Sequence, residues 1–394
     1  MNKTDRVQLS EIASLITKGT TPTTIGYDFQ DSGINFLKIE CFDEYGNYVE
    51  SKVAHISDEC NEKQKRSQLK SGDILFSIAG AIGRVAIVTD EMLPANTNQA
   101  LAIIRIVRED VYLPFIKLIL LSPLVKEQFE KKKQGVAQLN ISLKDISELT
   151  IPLPEINEQI ALAALFEKVE GIINKRQQQI SALDNLIKAR FVEMFGDTER
   201  YPQESLDSNV HEMFIGPFGS ALKNDNFVDP EDGFCIVYEQ KHAIKKTMDV
   251  PTRYVDEKKY RELRRFSVYP GDIIVSCRGT IGEIFIVPEG APLGIMHPSI
   301  MKIRLNTEKY NQKFFVLALE NYMEEHNNEA KGSGVKMAVT ATTLGREAFP
   351  VPPMEVQKQF AAFVDQIDKS KSVIQKSLDE TRVLFDSLMQ DYFG

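Results

Sequence analysis

The 394-residue sequence has only four cysteines, Cys41, Cys60, Cys235 and Cys277, far apart and without a CxxC pair. Neither a disulfide framework nor a zinc site is indicated, which fits a reducing cytoplasm. Its five histidines, His55, His211, His242, His297 and His326, form no HExxH and no HxE with PCxxC, so neither a metal site nor zinc catalysis is expected. Long apolar runs are missing too. The most apolar stretch, Tyr112 to Val125, is broken by Pro114, Lys117 and Pro123, and MNKTDRVQLSEIASL lacks the apolar core of a signal peptide. No secretion signal or membrane span is expected.

Catalytic equipment is also lacking. The turns Gly80-Ala-Ile-Gly83 and Gly279-Thr-Ile-Gly282 pair glycines after a strand, but each leads into another apolar β-rich run rather than a helix. Neither a Gly-Lys-Ser/Thr P-loop nor a GxGxxG is present, so these are turns and not phosphate cradles. The Asn-Pro-Pro-Tyr type of run that serves base methylation does not occur. Asp73 and Asp272 open strands within Gly-Asp turns, where a carboxylate commonly caps the turn. No catalytic residue is assigned.

What the chain does contain is a long helix from about Pro154 to Gly196. Phe166, Ile173, Ile180, Ile187 and Met194 recur every seven residues, with Leu162, Val169 and Leu183 on the second row and Arg176 and Arg190 interrupting it. This is a coiled-coil pattern, and about 40 residues of helix would span roughly 60 Å. Phe195-Gly196 reappears as Phe393-Gly394, and the same offset of 198 carries Leu162 onto Phe360, Phe166 onto Val364, Val169 onto Ile367 and Ile180 onto Leu378. Ile151-Pro-Leu-Pro154 becomes Phe349-Pro-Val-Pro352, and Gln159 becomes Gln357. Gly72-Asp73 and Gly80/Gly83 recur as Gly271-Asp272 and Gly279/Gly282 at an offset of 199. So long a period denotes a duplicated domain rather than a solenoid. The two helices most simply bury each other's seams, with Ile180 and Leu378 near the middle. Lys371 and Thr381 fall on seam positions of the second helix, which leaves its tip free to fray. Leu165, Ile172, Leu186 and Phe363 lie outside the seam and are candidates for binding a partner.

Between these landmarks, strands are expected over Gly33–Glu40, Ile74–Ile78, Arg84–Val88 and Asn96–Ile106, with one helix over Leu113–Lys132 and matching elements in the second copy. The copies differ almost everywhere else. The net charge is −9, yet basic and amide residues cluster in the variable parts. The first copy offers Lys18, Thr20, Thr21, Lys38, Lys63, Lys65, Arg66 and Arg84 with Asn96-Thr97-Asn98-Gln99. The second offers Ser220, Lys223, Gln240, Lys241, Arg278 and His297, with basic runs at 245–246, 253 and 258–265 interleaved with Tyr254, Tyr260 and Phe266. Such residues suit phosphates and base edges. The DNA-binding candidates are Lys18, Thr20, Thr21, Lys38, Arg84, Asn98, Gln99, Ser220, Lys223, Gln240, Lys241, Arg278 and His297.

Lys18-Gly-Thr-Thr-Pro22, Ile215-Gly-Pro-Phe-Gly-Ser220, the two Gly-Asp strands with their glycine turns, and the two proline lead-ins with Gln159 and Gln357 occur in this order, twice. In this the chain resembles the specificity subunit of type I restriction-modification enzymes over nearly its whole length. The resemblance implies an α+β fold with two target-recognition domains, at 1–150 and 200–348. Long helices at 151–199 and 349–394 would form an antiparallel coiled coil. It implies that each domain reads one half of a bipartite site in double-stranded DNA, and that the helices dock two methyltransferase subunits, which bring S-adenosylmethionine. Restriction subunits can join such an assembly. The subunit itself would be non-catalytic and cytoplasmic. The competing reading is a coiled-coil adaptor that does not read DNA.

Overall fold

The computed structural model describes residues 6–43, 46–132, 141–197, 199–278, 280–333 and 340–394. Gly279, the first glycine of the second glycine turn, lies outside them, as do residues 133–140. The chain divides into two compact units, residues 1–177 with 375–394, and residues 178–374.

In the first unit the strands run β1 Arg6–Gln8, β2 Leu15–Lys18, β3 Ile34–Leu37, β4 Ala54–Ile56, β5 Ile74–Ser77, β6 Val85–Ile87, β7 Ala95–Thr97, β8 Leu101–Arg105 and β9 Thr150–Pro152. They form an antiparallel sheet β2-β8-β5-β6, a sheet β4-β3-β7 and the pair β1-β9. β5 is buried throughout because both its faces are covered. Ile74 and Phe76, with Ala102 and Ile104, face a core completed by Phe115, Ile119 and Phe129. Leu75, with Leu101 and Ile103, faces a second core that holds Leu37, Phe42 and Leu69. Side chains alternate across a strand, so neighbouring apolar residues must find two different cores.

The second unit repeats this plan with β10 Gln203–Ser205, β11 Val210–Ile215, β12 Cys235–Tyr238, β13 Tyr254–Val255, β14 Ser267–Val268, β15 Ile273–Ser276, β16 Ile284–Ile286, β17 Gly294–Met296, β18 Ile300–Leu305 and β19 Ala348–Pro350. Its sheets are β11-β18-β15-β16, β13-β12-β17-β14 and β10-β19. The parallel pairing of β3 with β7 recurs as β12 with β17. The proline lead-ins are the strands β9 and β19, each closing antiparallel on the strand that opens its copy.

Two sequence expectations are corrected here. Asn96–Ile106 is not one strand, because Asn98 to Ala100 break away between β7 and β8. Leu113–Lys132 is two helices, Leu113–Leu120 and Pro123–Lys132. Pro123 has no N–H to continue the first helix and disfavours helical backbone at Ser122. The second copy has no proline there, and one helix runs from Gln312 to Ser333.

The long helices span Ile156–Phe195 and Met354–Phe393. Within the first unit, Leu162, Ala163 and Phe166 share a core with Met389 and Phe393, and the Phe166 ring lies 5.4 Å from that of Phe385. Within the second, Phe195 lies 5.4 Å from Phe360, and further back along the same helix Asp184 pairs with Lys371, further forward along the other. That order is antiparallel. The fold is α+β, with two duplicated domains and two long helices whose halves pair inside each unit.

Phe166, Val169, Ile173 and Ile187 are buried, as the heptads require, but Ile180 is only half-buried while Leu378 is 3% exposed. Near its end the buried row moves from Arg190 and Met194 to Phe191 and Phe195. A straight helix at 3.6 residues per turn drifts by about 20° per heptad, and here the drift turns two phenylalanines inward. The polar seam residues are accommodated: Lys371 meets Asp184, and Thr381 donates its hydroxyl to the Ser377 carbonyl at 2.7 Å. The tip of the second helix is not frayed. Phe393 is 2% exposed, wedged against Phe115 and Phe166. Phe363 also departs from expectation, being half-buried against the core of its own unit. Leu165, Ile172 and Leu186 are exposed at 37%, 44% and 46%.

Candidate nucleic-acid interface

Parallel pairing of β3 and β7 sets Leu37 beside Thr97, and the chain leaves both strands at the same end, through Lys38 and through Asn98-Gln99. The loop after β2 joins them. Gly19 donates its N–H to the Asn98 carbonyl at 3.2 Å, and a Cβ at Gly19 would stand 1.7 Å from the Thr97 oxygen, so only glycine allows this approach. Gln99 Oε1 accepts from the Thr21 amide at 3.0 Å and from its hydroxyl at 2.7 Å. Lys18, Thr20, Thr21, Lys38, Asn98 and Gln99 thus gather at one edge. Lys38 pairs with Glu40 at 2.9 Å; burial works against ionisation of Glu40, but the bond from Lys38 holds its pKa below the ordinary carboxylate value. Arg84 reaches the neighbouring Phe42 carbonyl at 3.3 Å.

The second unit builds the same edge with different side chains. Tyr238 lies beside Met296, so Glu239 and His297 emerge together, and the His297 N–H donates to the Tyr238 carbonyl at 2.8 Å. Gly216 repeats the role of Gly19, with the His297 oxygen 2.3 Å from where a Cβ would be. Glu239 pairs with Lys241 at 2.7 Å and with Arg253. Burial tends to raise the Glu239 pKa, and those two cations outweigh it and hold the carboxylate low. Burial pushes His297 below the ordinary imidazole value; Glu239 opposes this, while Arg253, Arg278 and Lys241 reinforce it. The Arg253 guanidinium also stacks over Phe227 at 3.9 Å, tying in the turn whose Lys223 amide donates to Asn226 at 2.8 Å. Gln240 begins the helix Gln240–Lys245 at this edge, and Ser220 is exposed in the preceding loop.

Other basic residues singled out from the sequence do not join these edges. Val255 pairs with Cys235, at the opposite end of β12 from Glu239, so the helix Glu257–Glu262 that follows carries its cations away. There Lys259 bonds Glu262 at 2.5 Å and Arg261 bonds Glu257 at 2.6 Å. In the first copy Lys63 and Lys65 likewise follow β4, whose Ile56 pairs with Ile34 at the far end of β3. Asn96 and Thr97 are fully buried and structural: Asn96 donates to Asn61 at 2.8 Å and Thr97 to the Leu37 carbonyl at 2.7 Å.

The candidates drawn from the sequence did not include Glu239, nor two clamps that recur inside both domains away from the edges. Asp73 caps its turn by accepting from the Lys70 amide at 2.8 Å, as the Gly-Asp motif suggested. It also takes Arg105 in a bidentate pair at 2.7 and 2.6 Å. Asp272 and Arg304 repeat that pair at 2.7 and 2.8 Å. The signal was present, since Arg105 and Arg304 are themselves 199 residues apart. Buried Gln159 accepts from the Tyr112 amide at 2.9 Å and donates to the Asp110 and Pro154 carbonyls at 2.9 and 2.7 Å. Gln357 does the same for Asn311, Lys309 and Pro352 at 2.8, 2.9 and 2.7 Å.

A family model for the type I restriction modification DNA specificity domain matches residues 1–182 and 236–381. The chain belongs to this family. It is 31% identical over 158 residues to the type I restriction enzyme EcoBI specificity subunit of Escherichia coli, a match covering 40% of this chain and 32% of that one. It is 23% identical over 342 residues to the putative type I restriction enzyme MjaX specificity subunit of Methanocaldococcus jannaschii, covering 84% and 79%. A chain from a solved structure on complex assembly and conformational transition of the type I R-M system matches with a TM-score of 0.63 at 17% identity, covering 99% of this chain and 97% of that one. That likeness concerns the fold. Among the described residues, no helix is long and apolar enough to cross a membrane, and no group of three His, Cys, Asp or Glu could hold a metal.

Proposed function

We propose that this chain is the non-catalytic, cytoplasmic DNA-reading subunit of a type I restriction-modification complex, each copy reading one half of a bipartite double-stranded site. One observation carries the reading. Two specificity-family domains share strands, glycine approaches and clamps, yet present unlike polar side chains at the same edge: Lys38, Asn98 and Gln99 in one, Glu239, Lys241, Arg253 and His297 in the other. Amide and guanidinium groups discriminate base edges in the major groove, and lysines neutralise phosphates. A coiled-coil adaptor that ignores DNA leaves those divergent edges without a purpose.

The exposed Leu165, Ile172 and Leu186 on the first long helix support docking of methyltransferase subunits, two per chain by the duplication. S-adenosylmethionine belongs to those partners, and restriction subunits join the assembled complex. The test is domain exchange. Replacing residues 1–150 with the matching region of a relative should change one half of the methylated sequence and leave the other half and the spacer intact. Removing a heptad between Glu167 and Lys188 should change the spacer alone. Alteration of both halves by the exchange would refute two independent readers.

A further inference from the structure

Phe218 is 88% exposed, the most exposed of the large hydrophobic residues among those described. It is not loosely displayed. Pro217 before it is buried, Gly216 is pressed against the His297 carbonyl, Leu222 is 5% exposed in the core, and the Ala221 N–H closes a turn onto the Phe218 carbonyl at 2.8 Å. The turn is pinned on both sides, so the fold itself holds the ring out in water beside the edge that carries His297. The free protein thereby forgoes the stabilisation that burying the ring would bring.

We propose that Phe218 meets an apolar surface of the DNA bases when the second domain engages its half-site. This rests on the reading of that domain as a DNA reader. A phenyl ring has no donor or acceptor, so neither phosphates nor base-edge polar groups can be its target. The apolar surfaces of a duplex are the base faces, exposed where a step is opened, and the thymine 5-methyl group in the major groove. Exposed Lys223, five residues along the chain, and exposed Arg278, near His297, supply charge for the flanking phosphates. The first domain differs at this place. Counting from the equivalent glycines, Thr21 stands where Phe218 does, and Gln99 engages its hydroxyl. The apolar contact therefore belongs to the second half-site alone.

The test uses the chain assembled with its methyltransferase partners and duplexes that this complex selects from a random pool. F218A should bind the selected duplex roughly ten- to a hundredfold more weakly, the range expected for one base contact of this kind. The slope of affinity against salt should not change, because no phosphate contact is lost, and F218L should retain part of the affinity. Deoxyuridine in place of thymine in the second half-site would reproduce the loss if the methyl group is the target. A rise in 2-aminopurine fluorescence that disappears in F218A would identify an opened step. If the wild-type complex selects a bipartite sequence and F218A binds it equally well, the contact is refuted while the DNA reading stands. If F218A instead blocks assembly with the methyltransferase and leaves DNA affinity intact, the ring serves a protein partner and the proposal fails. If the wild-type complex selects no sequence, the DNA reading itself fails.

Discussion

Asp73→Asn is the sharpest probe of how the first domain is braced. The Asp73 carboxylate is fully buried, and Arg105 is only 18% exposed, so neither charge can recover its hydration if the other is removed. Aspartate accepts three bonds here, from the Lys70 amide and from Arg105 Nε and Nη2. Asparagine keeps one acceptor oxygen and turns an NH2 group towards a donor, leaving the guanidinium uncompensated. Breaking a buried pair in this way costs about 3–5 kcal/mol, a large part of the 5–15 kcal/mol that typically holds a domain together. Removing both partners, as in Asp73→Asn with Arg105→Leu, should recover part of that loss because no charge is left stranded. Urea unfolding of the four members of this double-mutant cycle measures the coupling, and hydrogen exchange at β5 and β8 should locate the loss in the first unit. Arg105 pairs with Leu15, and Lys18 pairs with Ala102, so the clamp lies at the far end of the sheet from the proposed recognition edge. The methylated sequence should stay the same. A loss below about 1 kcal/mol, or strict additivity of the two substitutions, would refute the account.

Gln357→Leu strands a buried amide and two carbonyls and should cost about 3–9 kcal/mol at roughly 1–3 kcal/mol per unsatisfied group; Gln159→Leu should cost a similar amount, and thermal melts will show whether the two match. Burial lowers the pKa values of His242 and His297, so the unfolded chain takes up their protons first as pH falls. Their contribution is complete above about pH 6.5, the unfolded value, and is lost below it at up to about 1.4 kcal/mol per pH unit per histidine. His242 Nδ1 accepts from the Glu239 amide at 3.0 Å, with Glu239 and Lys241 the charged neighbours; urea midpoints between pH 7.5 and 5.5 should fall less steeply in His242→Gln, and identical slopes would exclude His242 as the source. Ile172→Asp and Leu186→Asp, at exposed positions, should shift stability by no more than about 0.5 kcal/mol while weakening co-purification with a methyltransferase subunit; intact co-purification would remove these residues from the docking surface.

The long helices, the duplication and the glycine turns were legible in the sequence because each is a local pattern repeated at a fixed offset. Heptads need only neighbours three and four residues away, and Gly-Asp followed by an apolar run signals a turn into a strand wherever it occurs. Even there the geometry intervened, since helical drift replaced Arg190 and Met194 with Phe191 and Phe195 on the buried side. Tertiary structure alone decided which polar residues gather at the two edges. The parallel pairing of Phe36 with Asn96 joins residues far apart in the chain, and no local periodicity encodes it. It selected Lys38 over Lys63 and Lys65, and Arg253 and Lys241 over Lys259 and Arg261. Where β7 ends, the same pairing keeps Asn96 and Thr97 in the interior and releases Asn98 and Gln99 to the surface. In sequence those four polar residues look alike; only the end of the strand tells them apart. Phe218 is the extreme case, a residue that composition would assign to a core and that two pinned flanks hold in water.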